Sequence, residues 1–324
     1  MTVVGLLAAG CGSTGTKAGP TTTVARTGAG TTASSHGPFA VGVRTETFTD
    51  TSRKTPANGS VPEKPGRTLE TIIEYPAQGT PDPNVEKSRA AAASGKFPVT
   101  LFVHGFSAHA SNPYLHPWAA AGFIAVAITF PLTNADTPGG ATRSDTVNEP
   151  ADVRFVLSQL AHLPAEDADL QPIIDASRVG LMGQSLGAMV VFDLGFNSQY
   201  QDPRIKAVVP VSGGCIGCPP GIEDPDGTFF TGPSVPVMFI HGTADPFAPI
   251  EHSAQEYAKA LAPKFFLSLI GAKHVQFGTP WEPIAAQATI DFFNRYLKHD
   301  DDALRQLAAD ANVPNVASLQ QAPG

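Results

Sequence analysis

From about residue 37 to about residue 304 the chain alternates short apolar runs with longer amphipathic ones. Eight runs have strand character: 39–48, 69–75, 99–104, 123–130, 178–183, 207–212, 235–241 and 265–271. The first two alternate apolar and polar positions, as half-buried antiparallel strands do. The other six, such as VTLFVH and VPVMFIH, are nearly continuous apolar stretches, the pattern of strands covered on both faces. Helical patterns fill the gaps. Residues 111–122 carry a Ser or Asn cap before Pro113 and stop at Gly122. Residues 148–163 place Val153, Val156, Leu157 and Leu160 on one face. Further helices are expected over 186–197, 250–262 and 283–298, the last with Ala286, Ile290, Phe293 and Leu297 as its stripe. This alternation predicts an α/β fold with a mostly parallel eight-stranded sheet flanked by helices.

Open parallel sheets collect their chemistry at the carboxyl ends of the strands, so the residues that follow each apolar run are informative. His104-Gly105-Phe106-Ser107 follows 99–104, and Gly183-Gln184-Ser185-Leu186-Gly187 follows 178–183. Asp245 stands in HGTADPFAP after 235–241, and His274 stands in GAKHVQF after 265–271. A G-x-S-x-G pentapeptide alone arises readily by accident in a glycine-rich chain. Here it joins a strand to a helix, and an acid and a histidine follow at two later strand ends.

The order Ser185, Asp245, His274 resembles that of the α/β-hydrolase superfamily, in which a strained strand-to-helix turn exposes the nucleophile. The resemblance spans about residues 37–304. The stretches GPFAVGVRTETF, LETIIEYPA and HGFSA are further similar to a bacterial lipoprotein branch of serine esterases. That branch includes platelet-activating-factor acetylhydrolase-like, dienelactone-hydrolase-like and polyester-hydrolase-like enzymes. The resemblance implies Ser185 as nucleophile, His274 as general base and Asp245 as the acid that orients the imidazole. It also implies an oxyanion hole from the backbone N–H groups of Leu186 and Phe106. No cofactor is implied. Dienelactone-type enzymes usually carry Cys at the nucleophile position, so Ser185 points away from that branch.

Rival residues are weaker. Asp224 and Asp226 lie in a Gly/Pro-rich excursion rather than at a strand end. His241 ends a buried strand and reads as a structural histidine, while His252 falls in a helical pattern and reads as exposed. His104, His109 and His116 are close in sequence, but no His-x-x-x-His pair or cysteine accompanies them, so no metal is expected.

Composition changes the picture mainly at the ends. Residues 12–36 are Gly, Ser, Thr and Ala with almost no large apolar side chains, the composition of a flexible tether. Ahead of it, Leu7-Ala8-Ala9-Gly10 before Cys11 resembles a bacterial lipobox, with the Leu one place early. Only Met1 and Thr2 precede the apolar run, where a basic stretch is usual and an upstream start would supply it. Residues 1–11 are thus expected to be the remnant of a lipoprotein signal, with Cys11 the lipidated residue and a lipid anchor the only membrane contact. The protein is then extracytoplasmic, and Cys215 and Cys218 in GGCIGC become candidates for a local disulfide. Residues 305–324 are weakly patterned and are expected to form a loosely structured tail.

The net charge of −8 comes without basic runs, which argues against a nucleic-acid partner. Both places where this fold inserts a lid, 131–149 and 213–234, are short, polar and rich in Pro and Gly, so no large lid is expected. The aromatics Phe106, Phe247 and Trp281 are candidates to line an apolar substrate pocket, and Phe130 reads equally well as core. The expected activity is hydrolysis of small or polymeric esters, with short-to-medium acyl, lipid or polyester substrates, by a monomeric serine esterase. The competing expectation is a non-catalytic lipoprotein that reuses the fold to bind envelope lipid.

Overall fold

A computed structural model of the protein describes residues 38–163, 167, 169–213, 229–274 and 278–324. The expected signal remnant, the tether, and Cys11, Cys215, Cys218, Asp224 and Asp226 lie outside the described residues. Among the described residues, no helix is long and apolar enough to cross a membrane.

Ten strands form one sheet: β1 (Ala40–Asp50), β2 (Arg67–Ala77), β3 (Glu86–Ser88), β4 (Phe97–Val103), β5 (Ile124–Thr129), β6 (Ile174–Gln184), β7 (Ile205–Val211), β8 (Val237–Gly242), β9 (Lys264–Leu269) and β10 (Ala317–Ala322). Their order is β10-β9-β8-β7-β6-β4-β5-β2-β1-β3. The six strands from β9 to β5 run parallel. β1, β2 and β5 are joined by antiparallel pairing, with Ala40 opposite Ala77 and Glu70 opposite Thr129. All eight expected strands are present. The two extra ones correct the count, and both lie at edges.

The helices are α1 (Leu115–Ala120), α2 (Glu149–Leu160), α3 (Leu186–Phe196), α4 (Ile250–Lys259), α5 (Trp281–Lys298) and α6 (Ala303–Asp310). Strand alternation sends successive side chains to opposite faces, and two cores result. Val99, Leu101 and Val103 of β4 meet Val153, Val156 and Leu157 of α2 and Val190 and Leu194 of α3. Phe102 points the other way, into a core with Trp118 of α1, Phe292 and Phe293 of α5 and Leu307 of α6. The stripe of α5 is rotated from the expected one. Ala285, Ala288, Phe292, Phe293 and Leu297 are buried, while Ala286 and Ile290 sit at its margin. The 283–298 segment carries enough apolar residues on neighbouring faces that periodicity alone left its centre open.

The expectation of a loose tail over 305–324 is also corrected. α6 packs Leu307 into the second core, and β10 pairs antiparallel with β9, Ala317 opposite Leu269. Only Ala303 and Leu307 of α6, and Ala317 of β10, are buried, so the tail lacks the apolar density that marks inner elements.

One charged network steadies the loop between β5 and α2. The Arg67 guanidinium, fully buried at the start of β2, donates to both carboxylate oxygens of Asp145 and of Asp152. Arg53 adds a third bond to Asp152 and reaches Asp50. Asp145 belongs to a short 3-10 turn, Arg143–Asn148, so the segment 131–149, expected to be too short for a large lid, is pinned to the sheet. Most of the other such segment, 213–234, lies outside the described residues. Removing one partner from such a buried set costs several kcal/mol, because a charge is left uncompensated.

α3 carries a second buried carboxylate with weaker compensation. Burial pushes the Asp193 carboxyl up to about 7, against one long bond from Asn197. The folded state therefore keeps this proton where the unfolded chain, with an ordinary value near ~4, has lost it. Stability falls as pH rises from about 4 to about 7 and is level above that. Asp193→Asn is expected to stabilise the protein by about 2–4 kcal/mol at pH 8, a gain that shrinks as pH approaches 4. Urea melts across that range check it; a gain independent of pH would contradict the assignment.

Candidate active site

Ser185 lies between β6 and α3 with φ 54° and ψ −113°, a backbone conformation that L residues rarely adopt. Its N–H donates to the Val211 carbonyl at 2.9 Å and ties the turn to β7. The turn is tight enough to dictate its neighbours. A Cβ on Gly183 would strike the Gly187 carbonyl, and one on Gly187 would strike the Val103 carbonyl at the end of β4. Glycine at both positions is thus a packing requirement.

The structure brings together the three residues singled out from sequence. Ser185 Oγ donates to His274 Nε2 at 2.9 Å, and His274 Nδ1–H donates to Asp245 Oδ2 at 2.7 Å. Asp245 Oδ1 accepts the backbone N–H groups of Phe247 at 2.8 Å and Ala248 at 3.0 Å. Burial opposes ionisation of Asp245. The Ala248 N–H, the His274 bond and the Phe247 N–H outweigh it and hold the carboxyl below the ordinary carboxylate range. A base oriented by a buried carboxylate and bonded to an accessible hydroxyl is the arrangement that activates an oxygen nucleophile.

Buried polar side chains hold the loops around this chain of bonds. His241, fully buried, donates from Nε2 to the Ala248 carbonyl at 2.9 Å and accepts the Ser253 hydroxyl at Nδ1. Nε2 also lies 3.3 Å from Asp245 Oδ2. Burial lowers its pKa, in keeping with a neutral ring. His241 therefore fits the structural role expected of it, with a function that sequence alone did not reveal: it braces the turn that carries the acid. Ser212 Oγ donates to the His274 carbonyl at 2.7 Å. His104 Nδ1–H donates to the Gly105 carbonyl at 2.8 Å, shaping the loop that presents Phe106.

Leu186 is the first residue of α3, so its N–H has no partner within the helix. Among the described residues, the Phe106 N–H meets no backbone acceptor either. Both residues line an open cleft of about 440 Å³ around Ser185, with Arg143, Met189, Ser212, Gly213, Phe247, Ala248, His252 and His274. Such a volume accommodates an aromatic ring or a short acyl chain. Phe247 stands beside the His274 ring at 5.5 Å and is 80% exposed. The Arg143 guanidinium lies over the Phe106 ring at 4.6 Å. Trp281 is absent from the described lining: its indole N–H donates to the Ile270 carbonyl and its ring packs on the second core. Phe130 is core. Arg143 and Met189 went unnoticed in the sequence, and His252, expected to be exposed, is half-buried and lines the cleft, because the orientation of a loop or helix toward the cleft depends on the fold.

A family model described as PETase, PET hydrolase-like, matches residues 88–321. Of the branches suggested by sequence resemblance, this is the polyester-hydrolase-like one. No curated protein matches the chain. Among solved structures, a ferulic acid esterase from Streptomyces cinnamoneus is similar with a TM-score of 0.63 and 18% identity, over 87% of this chain and 97% of its own. Its likeness places the chain in the α/β-hydrolase fold.

His241→Leu removes the bond to the Ala248 carbonyl and the acceptor of the Ser253 hydroxyl while keeping an apolar volume. An orphaned buried polar group costs about 1–3 kcal/mol. We expect an unfolding free energy lower by about 2–4 kcal/mol in urea melts; an unchanged midpoint would mean the brace contributes nothing.

Proposed function

The chain belongs to the PET hydrolase-like family, and we propose that it is a serine carboxylic-ester hydrolase working through an acyl-enzyme. The observation that carries this reading is the continuous set of hydrogen bonds from Ser185 through His274 to Asp245 at the floor of an open cleft. In the proposed cycle Ser185 Oγ attacks the ester carbonyl as His274 Nε2 takes its proton. The N–H groups of Phe106 and Leu186 donate to the oxyanion of the tetrahedral intermediate. Collapse expels the alcohol, which takes the proton from His274. Water then enters, gives a proton to His274, and releases the acid and free Ser185 by the same steps in reverse order. Asp245 stays ionised throughout and stabilises the imidazolium, a role supported by its lowered pKa.

The substrate class we favour is short-to-medium acyl esters and bulky exposed esters, including lipid and aromatic polyester. Three features support it: the openness of the cleft, the exposed Phe247 ring at its edge, and the apolar patch of Phe106, Leu186 and Met189. The family's name and the feruloyl-ester activity named for the Streptomyces protein fit the same reading. We further propose extracytoplasmic attachment through Cys11, on the lipobox-like run that precedes it and the low-complexity segment that follows.

Nitrophenyl esters of rising acyl length, with Ser185→Ala in parallel, test the mechanism. The parent is expected to react with a fluorophosphonate probe and to turn over the esters. The variant is expected to lose labelling and about 10⁴–10⁶ of kcat. Equal hydrolysis by both proteins would sink the proposed mechanism, and no labelling or turnover by the parent would favour the lipid-binding role. The anchor is tested separately: expressed with its natural upstream sequence, Cys11→Ser is expected to leave the membrane fraction, and unchanged association would count against lipidation.

A further inference from the structure

At the amino end of the parallel strands, away from Ser185, three ligand-type side chains converge. Glu74 is on β2, Glu86 on β3 and His116 on α1, and one atom from each lies within 4.8 Å of the others. Glu74 pairs with Ala125 at the start of β5, whereas Ser185 follows the end of β6, so the two sites occupy opposite ends of the sheet. We propose that Glu74, Glu86 and His116 form a binding site for a divalent transition cation of the zinc class.

The polar bookkeeping of the site supports a cation. His116 Nε2 lies 3.0 Å from the Asp82 carbonyl, which can only accept, so Nε2 carries the ring proton. That bond leaves Nδ1 facing the two carboxylates, 3.9 Å from Glu74 Oε2 and 3.7 Å from Glu86 Oε1. A second ring hydrogen bonded to either oxygen would draw it to about 2.7–2.9 Å. Instead Nδ1 and Glu74 Oε2 are both buried and make no hydrogen bond with the protein, and Glu74 as a whole is only 7% exposed. The free lone pair of Nδ1 and the unpartnered oxygen of Glu74 thus face one gap, where a bound cation would give both a partner.

The gap suits a metal. Tetrahedral zinc holds nitrogen and carboxylate oxygen at about 2.0–2.2 Å, which sets the ligand atoms about 3.3–3.6 Å apart. The ligand atoms stand 3.7 and 3.9 Å from Nδ1 and all lie within 4.8 Å of one another, and the Glu86 side chain, 44% exposed, has room to close them to that spacing. One imidazole with two carboxylates matches zinc and its neighbours better than calcium or magnesium, which prefer all-oxygen shells. The Asp82 carbonyl on Nε2–H is the outer contact that metal-bound histidines commonly make. The bound ion would join the three-residue edge strand β3 to β2 and α1, a structural role at the end of the sheet remote from Ser185.

Sequence groups His116 only with His104 and His109 and predicts no metal, because the carboxylates that meet it lie on two other elements and no histidine pair marks the site. The test uses the full chain, freed of metal with a chelator and titrated with zinc chloride or calcium chloride. Calorimetry is expected to find a zinc site, with saturating zinc raising Tm by about 5 °C or more and calcium doing markedly less. Glu86→Gln, at an exposed position, is expected to melt like the metal-free parent, to bind zinc at least about tenfold more weakly and to lose the Tm rise. His116→Gln should lose the response as well. Absence of zinc binding in the parent would overturn the proposal, and so would a stronger response to calcium. Zinc affinity unchanged in both variants would also overturn it, since the ion would then bind elsewhere.

Discussion

Much of this molecule is arranged around one strained residue. Ser185 holds a positive φ because β6 must end and α3 begin within a single peptide unit. That turn exists only where the backbone of Gly187 can lie against the end of β4 and that of Gly183 against Gly187. The same close approach sets the spacing between the loop after β4, which carries Phe106, and the start of α3, which carries Leu186. Strain of this kind persists only when its surroundings over-determine it. Here the Ser185 N–H is fixed to β7 and α3 is buried along its whole length.

The surrounding loops are fixed by buried polar groups rather than by apolar packing. His104 shapes the turn after β4, Ser212 holds the backbone of His274, and His241 braces the turn beyond Asp245. Arg67, with Asp145 and Asp152, pins the segment that sets Arg143 over Phe106. Each loop therefore has a directional tether to the sheet. An apolar contact would leave these loops free to slide, whereas a bond of 2.6–2.9 Å fixes position and direction together.

The inner strands and the polar residues at their ends were legible because burial on two faces writes long apolar runs, and a strand end is where such a run stops. Ser185, Asp245 and His274 could be read from that pattern. The edges were not legible. β3 is three exposed polar residues, and β10 buries only Ala317, so neither has a period to detect. Trp281 was expected in the pocket from its place near the active edge but is absent from the described lining, because the direction of a helix's first residue depends on how the helix docks. The converging trio of Glu74, Glu86 and His116 is a product of topology: β2 and β3 are not hydrogen-bonded to one another but flank β1.

The polar outer strands have a consequence for the molecule in company. A ten-stranded sheet has two open rims, and an exposed rim is a template on which a second chain can add a strand. Here every strongly apolar strand is interior. One rim is the three-residue β3 with Glu86 and Lys87, and the other is β10 with the sequence ASLQQA. The outermost rows are too short, too charged or too polar to recruit a neighbour, so the chain carries its own guard against edge-to-edge aggregation.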